Sequence, residues 1–421
     1  MRANSQNPET AESLRSGPPL PFAGLMVLDL TQIYNGPYAT FLLAQAGATV
    51  VKVEPPLGEH LRSRRPSPGV TEPFAVLNAN KHSLTLDLKN PAGVEVFLEL
   101  VSKADVVVEN FAPGVMDRLG LGDAQLRARN PQLVIASGSG YGSHGPYRDY
   151  PAMDVTVQAM AGVLAVTGLP DGGPIKAGPA VSDFFGGVHL YGAIVTALYR
   201  RAMTGVGGSV EVAMMSAVYP SLLSNLGLAR EGALTTRRTG NRHGGLSMAP
   251  YNVYPTSDGS IAILSVTEAH WTAIATTLGH AEWCDDPRFL SYASRVENMD
   301  QLDAVLAEQT ACLPKAELCQ RLVNARVPCA PVRELSEVID DPHLHAIGML
   351  RWFDHPEHGR ILVHGSPLVF KDEAPVRYEA SRELGADTHA VLSTLCGLDA
   401  ERISALARRG AFAPLTDVSH E

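Results

Sequence analysis

Cysteine, positive charge and long apolar runs are all scarce here, and each scarcity excludes a class of protein. The five cysteines, Cys284, Cys312, Cys319, Cys329 and Cys396, form no CxxC pair and are odd in number. Neither a disulfide scaffold nor a structural zinc site is expected, and a reducing, cytoplasmic setting is. Lys and Arg number 34 against 44 Asp and Glu, a net charge of −10. A general nucleic-acid binder needs a basic face, so no nucleic-acid partner is expected; one phosphorylated small molecule in a locally basic groove remains compatible. No stretch reaches the ~18–20 uninterrupted apolar residues of a membrane span. Residues 1–20 are polar, contain proline and lack an apolar signal core, which reads as a disordered tail on a soluble protein without a membrane partner.

Several motifs are missing as well. There is no GxxxxGK[ST], no GxSxG and no HExxH. The histidines are scattered through loops, with His343/His345 and His355/His358 reading as solvated turn residues, so no metal is expected. "GYGSHG" at 140–145 fits GxGxxG, but Pro146, Tyr147 and Pro151 follow it and no helix can begin there. A dinucleotide fingerprint must open a helix, so nicotinamide dinucleotide binding is not expected.

What is present is a full apolar complement, 45% hydrophobic with 19% charged residues, on a 421-residue chain long enough for two domains. From residue 25, apolar strand patterns ("LMVLDL", "ATVVKVE", "SLTLDLK", "DVVVEN", "QLVIASGS", "GGSVEVAM") alternate with helical ones. "GPYATFLLAQAG" carries Pro37 near its start, "NPAGVEVFLELVSKA" carries Pro91, and "FFGGVHLYGAIVTALYRR" reads as a long buried helix. The alternation predicts an α/β fold: a Rossmann-like parallel sheet in a large domain over 21–229. A linker and glycine loop over 230–250 follows. A smaller α+β domain over 251–340 opens with a hairpin at Asp258-Gly259, and 341–421 returns to the large domain. Parallel-sheet sites lie at strand carboxyl ends, here "EPP" (54–56), "ENFAPG" (109–114) and "SGSGYG" (137–142).

Two stretches carry chemistry. "VENFAPGVMDRLG" offers hydrogen bonds from Asn110, an apolar face from Phe111 and a phosphate partner in Arg118, which suits an adenine nucleotide; an ordinary βα turn with a surface arginine reads equally. "AVSDFFGG" sets Asp183 before the long helix. It fits a helix N-cap. It fits equally a carboxylate nucleophile, which needs an activated electrophile such as a thioester and a site for the oxyanion.

The ordered series "GATVVKVEPP", "NANKHSLTLDLKNPAG", "VENFAPGVMDRLG", "VIASGSGYGSHGP", "MDVTVQAMAGVLAVTG" and "AVSDFFGG" resembles the class III CoA-transferases, from about residue 24 to "LGADTH" near the C-terminus. The resemblance implies a catalytic aspartate at Asp183, contacts to coenzyme A at Lys89, Asn110, Phe111 and Arg118, and a glycine loop at Gly244 and Gly245. It further implies an interlocked homodimer, acyl-CoA and a small carboxylic acid as substrates, and no permanently bound cofactor. There are departures. The racemase relatives carry a histidine where Met153 stands, before Asp154; Met cannot move a proton, which argues against racemisation. The formyl-CoA branch has glutamine at the position of Tyr34 and a basic residue at that of Pro55, so oxalate is not implied. Tyr34 is then expected to face substrate. Arg62, Arg64 or Arg65 is expected to grip the adenine end. Among Arg237, Arg238 and Arg242, Arg238 is expected to pair with the distal carboxylate of a dicarboxylic acid. The competing expectations are an acyl-CoA racemase or isomerase using Asp154 or Asp183 as base, and a non-catalytic CoA-binding protein.

Overall fold

The computed structural model describes residues 20–63, 73–230, 238–372 and 376–412. The expected tail (but for Leu20), Arg64, Arg65 and Arg237 lie outside the described residues. The chain divides into two compact units. One takes the residues up to Met153, Ser182–Ala217 and those from Pro342; the other takes Asp154–Val181 and Val218–Asp341. The division cuts across the expected large domain, giving 154–181 and 218–229 to the second unit.

In the first unit six strands form one parallel sheet: β1 (Met26–Asp29), β2 (Thr49–Glu54), β3 (Lys81–Thr85), β4 (Val106–Glu109), β5 (Val134–Ser139) and β6 (Gly208–Ala213). Their order is β3-β2-β1-β4-β5-β6, all parallel, so connections run outward in both directions from the β1/β4 pair. The α/β expectation holds. That reversal opens a crevice at the carboxyl ends of β1 and β4, the place where doubly wound sheets bind ligands.

The strands read as near-continuous apolar runs because both faces are covered. Successive side chains alternate between faces. Leu28, Val51 and Val107 meet helix α1 (Pro91–Val101) through Val96, Phe97 and Leu100, together with Leu392 and Ile403 from helices Thr388–Thr394 and Ala400–Arg408. Val27, Val50 and Val106 meet Ala39 and Leu43 of helix Asn35–Gln45 and Leu190, Ile194 and Ala197 of helix Val181–Thr204. Asn90 caps α1, accepting a hydrogen bond from the Ala92 N–H at 2.9 Å, with Pro91 in first place.

Three local expectations change. β3 begins earlier than "SLTLDLK" suggested and stops at Thr85, because the Asp87 carboxylate accepts from the Lys89 N–H (3.0 Å) and turns the chain into the next helix. The 115–130 helix is two pieces, Val115–Arg118 and Asp123–Arg129, parted at Gly120 with φ 72°. The helix expected to start after Asp183 starts at Val181, so Asp183 stands inside its first turn rather than capping it. That helix is also not buried throughout: Phe184, Phe185, Val188, Tyr199 and Met203 are exposed. It is long and apolar enough to cross a membrane by length and composition, while its other side packs on the sheet. A hairpin that the sequence pattern did not announce, β10 (Leu350–His355) with β11 (Gly359–His364), packs Ile361 and Val363 against Phe41 and Leu42.

The second unit holds the three-stranded antiparallel sheet β7 (Tyr251–Thr256), β8 (Gly259–Leu264) and β9 (Cys329–Pro331). The β7–β8 hairpin turns at Asp258-Gly259 as expected; the three-residue β9 was too short to show a pattern. Helices cover one face, with Trp271, Ile274, Leu302, Leu306, Leu318 and Leu322 fully buried.

Candidate active site

The crevice at the carboxyl ends of β1 and β4 is built from side chains that hold backbone. β1 ends in Asp29, which is completely buried. Its carboxylate accepts from the Thr31 N–H (2.9 Å), the Thr31 and Thr40 hydroxyls (2.5 and 2.6 Å) and the Lys81 ammonium (2.9 Å). Burial alone would raise its pKa, but Lys52, Lys81 and the two hydroxyls hold it well below the usual carboxylate range. Burial in turn pulls Lys81 down to about 8 against the attraction of Asp29. The Lys52 ammonium donates to the Thr31 carbonyl.

The next residues are fixed as firmly. The Asn110 amide, at the exit of β4, accepts from the Gln32 N–H and donates to the Gln32 carbonyl, both at 2.8 Å, bridging the two central strands. The Glu59 carboxylate accepts from the Ile33 N–H at 3.4 Å. Ile33 has φ 66°, a left-handed conformation that a β-branched residue adopts at a cost of roughly 1–3 kcal/mol. Such a residue persists where its surroundings leave it no alternative, which is the arrangement here.

Beyond this loop opens a cavity of about 940 Å³, lined among others by Ile33, Asn110, Phe111, Arg118 and Asp183. Asp183 is 7% exposed and presents from the first turn of the helix Val181–Thr204, where the N-terminal dipole favours a carboxylate. Four of the residues named from the sequence thus share one cavity although they lie up to 73 positions apart in the chain. Tyr34 follows Ile33 and stacks on Phe184, the neighbour of Asp183, with ring centroids 6.0 Å apart.

The other named residues lie elsewhere. Lys89 is exposed on the turn after β3 and does not line this cavity. Gly244 and Gly245 belong to the second unit, where the Gly244 carbonyl accepts from the Asn225 amide (3.4 Å) and the Gly245 N–H donates to His243 (3.2 Å). Arg238, also in that unit, donates to the carbonyls of Ala165 (3.4 Å), Leu169 (3.3 Å) and Gly172, so its guanidinium braces the 165–172 segment. Arg242 is gripped by Asp300 and Asp303 at 2.7 and 2.6 Å. Arg62 forms a two-pronged pair with Glu54 (3.0 and 2.8 Å) rather than standing open for a ligand. The Asp154 carboxylate accepts from the Gln158 amide at 2.7 Å.

Sequence reading passed over other groups at the cavity. Arg148 and His60 add basic character, and Tyr141 and Tyr150 add aromatic surface, their rings 6.3 Å apart. "SGSGYG" was a signal for this wall, since it leaves β5 at its carboxyl end, but which side chains of the following turns face inward could not be read. Glu109, next to Asn110, lines an adjoining cavity of about 490 Å³ with Ser137 and Glu211. Burial pushes it up to about 7, against the hydrogen bonds from Ser137 and the Phe111 N–H. Among the described residues no cluster of three His, Cys, Asp or Glu could hold a metal ion.

Known proteins extend this picture. The profile described as "CoA-transferase family III" matches residues 22–388. The acetyl-CoA:oxalate CoA-transferase of Acetobacter aceti is 37% identical over 360 residues, covering 85% of this chain and 91% of that protein. The succinyl-CoA:mesaconate CoA-transferase of Haloarcula hispanica is 36% identical over 367 residues, covering 83% and 90%. The crystal structure of a CAIB/BAIF family protein from Brucella suis superposes with a TM-score of 0.78 at 32% identity, covering 90% of this chain and all of that one. With a family model matching most of the chain and relatives above 30% identity over most of their length, the chain belongs to CoA-transferase family III and is an enzyme of that class.

Proposed function

We propose that this enzyme moves CoA from an acyl-CoA donor to a dicarboxylic or other small carboxylic acid through a thioester on Asp183. The observation that carries the reading is Asp183 itself: a nearly buried carboxylate at a helix start, lining one cavity with Asn110, Phe111 and Arg118. The relatives' names support the substrate class, since oxalate and mesaconate are both dicarboxylates.

The Asp183 carboxylate attacks the donor thioester carbonyl; the C–S bond breaks, giving a mixed anhydride and CoA thiolate. The thiolate attacks the Asp183 acyl carbon, releasing the donor acid and leaving aspartyl-CoA. The acceptor carboxylate then attacks that acyl carbon and frees the thiolate again. The thiolate takes the acceptor's acyl group from the second anhydride and restores the Asp183 carboxylate. No proton or electron is consumed. Arg118 and Arg148 supply cationic surface for CoA phosphates, and the His60 ring adds a hydrogen-bonding edge beside them. Binding energy from that distant end serves to position the thioester. The family resemblance assigns the oxyanion donors to the glycine loop at Gly244 and Gly245, although here the Gly245 N–H is already given to His243; losing one such donor typically costs about 2.7–4 kcal/mol of barrier. Lys89 and Tyr34 remain CoA and substrate contacts only as the family resemblance implies, outside the residues that line this cavity, and Arg238 acts as a brace on the 165–172 segment.

The racemase alternative has less support, because Met153 lines the cavity where a proton carrier would be needed and Asp154 is engaged by Gln158. We further propose a homodimer. Its support is the exposed apolar side of the helix Val181–Thr204, where Tyr199 and Met203 are 68% and 69% exposed. A reducing, cytoplasmic setting fits the five free cysteines.

The deciding experiment is incubation with acyl-CoA followed by mass spectrometry of the Asp183 peptide. The expected result is a CoA adduct on Asp183 and a loss of at least about 10³-fold in kcat for Asp183→Asn. An unmodified peptide during turnover, with an active Asp183→Asn enzyme, overturns the mechanism.

A further inference from the structure

Asn35 is the first residue of the helix Asn35–Gln45 and lines the cavity that Asp183 lines. It is 4% exposed. Its Nδ2 donates to the Asp183 backbone carbonyl at 3.3 Å, while its Oδ1 is enclosed and accepts no hydrogen bond. The carbonyl fixes the way round the amide sits: turned over, two oxygens would face each other.

The chain makes room for this amide with glycines on two elements. A Cβ on Gly186 would lie 2.0 Å from Nδ2, one on Gly138 at the end of β5 would lie 2.5 Å from Oδ1, and one on Gly187 would lie 2.6 Å from the Asn35 carbonyl oxygen. An enclosed amide oxygen without a partner is unfavourable, and a leucine of similar shape would avoid the deficit. Asn35 is therefore not explained by packing. What a leucine could not supply is the donor to Asp183.

We propose that Asn35 is the positioning residue of Asp183. Its amide ties the first turn of one helix to the first turn of the other, and so sets where the carboxylate stands in the cavity. The inference rests on Asp183 being the nucleophile. It places specificity for the reacting geometry, not for CoA affinity, in this residue.

The test compares Asn35→Leu, Asn35→Ala and Asp183→Asn with the parent enzyme in the full chain. It measures CoA affinity by calorimetry, thermal unfolding, steady-state kcat and KM, and the single-turnover rate of adduct formation on Asp183. Positioning predicts that Asn35→Leu unfolds at the parent temperature or higher. It should bind CoA within about twofold of the parent, yet form the adduct about 10²-fold more slowly, with kcat rather than KM affected. Asn35→Ala provides the same kinetic readout if the leucine variant does not fold. A purely structural role predicts the reverse, a lower unfolding temperature with kcat within about twofold, and that result overturns the proposal. If Asp183→Asn is inert while Asn35→Leu is fully active, the positioning role alone fails. If Asp183→Asn is active, the nucleophile reading fails and the positioning role with it.

Discussion

A carboxylate that attacks a thioester has to be ionised, whereas a carboxylate enclosed without a cation tends to take up a proton. Glu109 is the second kind: burial first, then the nearby Asp123 and Glu211 charges, raise it to about 7, well above the usual carboxylate range. The folded protein therefore holds that proton to higher pH than the unfolded chain does. Glu109 contributes stability below about pH 4.5 that is lost as pH rises through about 7. Glu109→Gln should be more stable than the parent at about pH 8, by on the order of 3 kcal/mol, with the difference vanishing near pH 4.5. Thermal unfolding across that range checks it; parallel curves for the two proteins would contradict the assignment. Arg238 offers another contrast. As a brace on three carbonyls, its replacement by alanine should lower stability by about 1–3 kcal/mol and raise KM equally for mono- and dicarboxylic acceptors. A selective rise for dicarboxylates would instead restore the expected contact to a distal carboxylate.

At the scale of elements, the helices Asn35–Gln45 and Val181–Thr204 approach closely because the latter has no side chain at Gly186 and Gly187. A Cβ there would meet the Asn35 amide at 2.0 Å and the Asn35 carbonyl at 2.6 Å. Gly186→Ala has to push apart the two helices that frame the cavity, a strain of about 1–3 kcal/mol. Urea unfolding should show that loss, accompanied by reduced kcat. An alanine variant with parental stability and activity would mean that the contact yields freely. The loop between β1 and the first of these helices is the stiff counterpart: Asp29, Lys52, Asn110 and Glu59 each hold part of its backbone. "VLDLTQIYNGP" showed little of this, because apart from Asp29 the side chains that do the holding come from β2 (Lys52), the exit of β4 (Asn110) and the segment before Leu61 (Glu59).

At the scale of the whole molecule, the C-terminal helices complete a core that the sheet cannot close alone. Val391, Leu392, Ile403 and Leu406 are buried with Leu28, Phe97 and Val107. A chain ending before Thr388 exposes that face. It should express insoluble or lose cooperative unfolding, each large apolar side chain accounting for about 1.5–3 kcal/mol. The proposed dimer predicts twice the chain mass by light scattering, and a fall towards the monomer when Tyr199 and Met203 are replaced by glutamate. A parent protein that scatters as a monomer removes that part of the proposal.

The amino-acid sequence by itself determined the parallel α/β sheet. Apolar runs such as "VVVE" and "VIAS" alternating with helical segments admit few other folds, and both signals are local. It also pointed to Asp183, Asn110, Phe111 and Arg118 through their motifs. It did not determine that Asp183 stands inside a helix turn, or that Asn110 spends its amide on Gln32. Nor did it show that Arg62 and Arg238 are already engaged, or that Asn35 reaches the Asp183 carbonyl. The Asn35, Asn110 and Arg238 contacts depend on partners far along the chain, 148, 78 and up to 73 positions away, and the Arg62–Glu54 pair on how the chain turns after β2. Periodicity reports which face of an element is buried. Which polar group meets which is decided when the sheet's strand order brings the ends of β1 and β4 together, and only the tertiary structure fixes that.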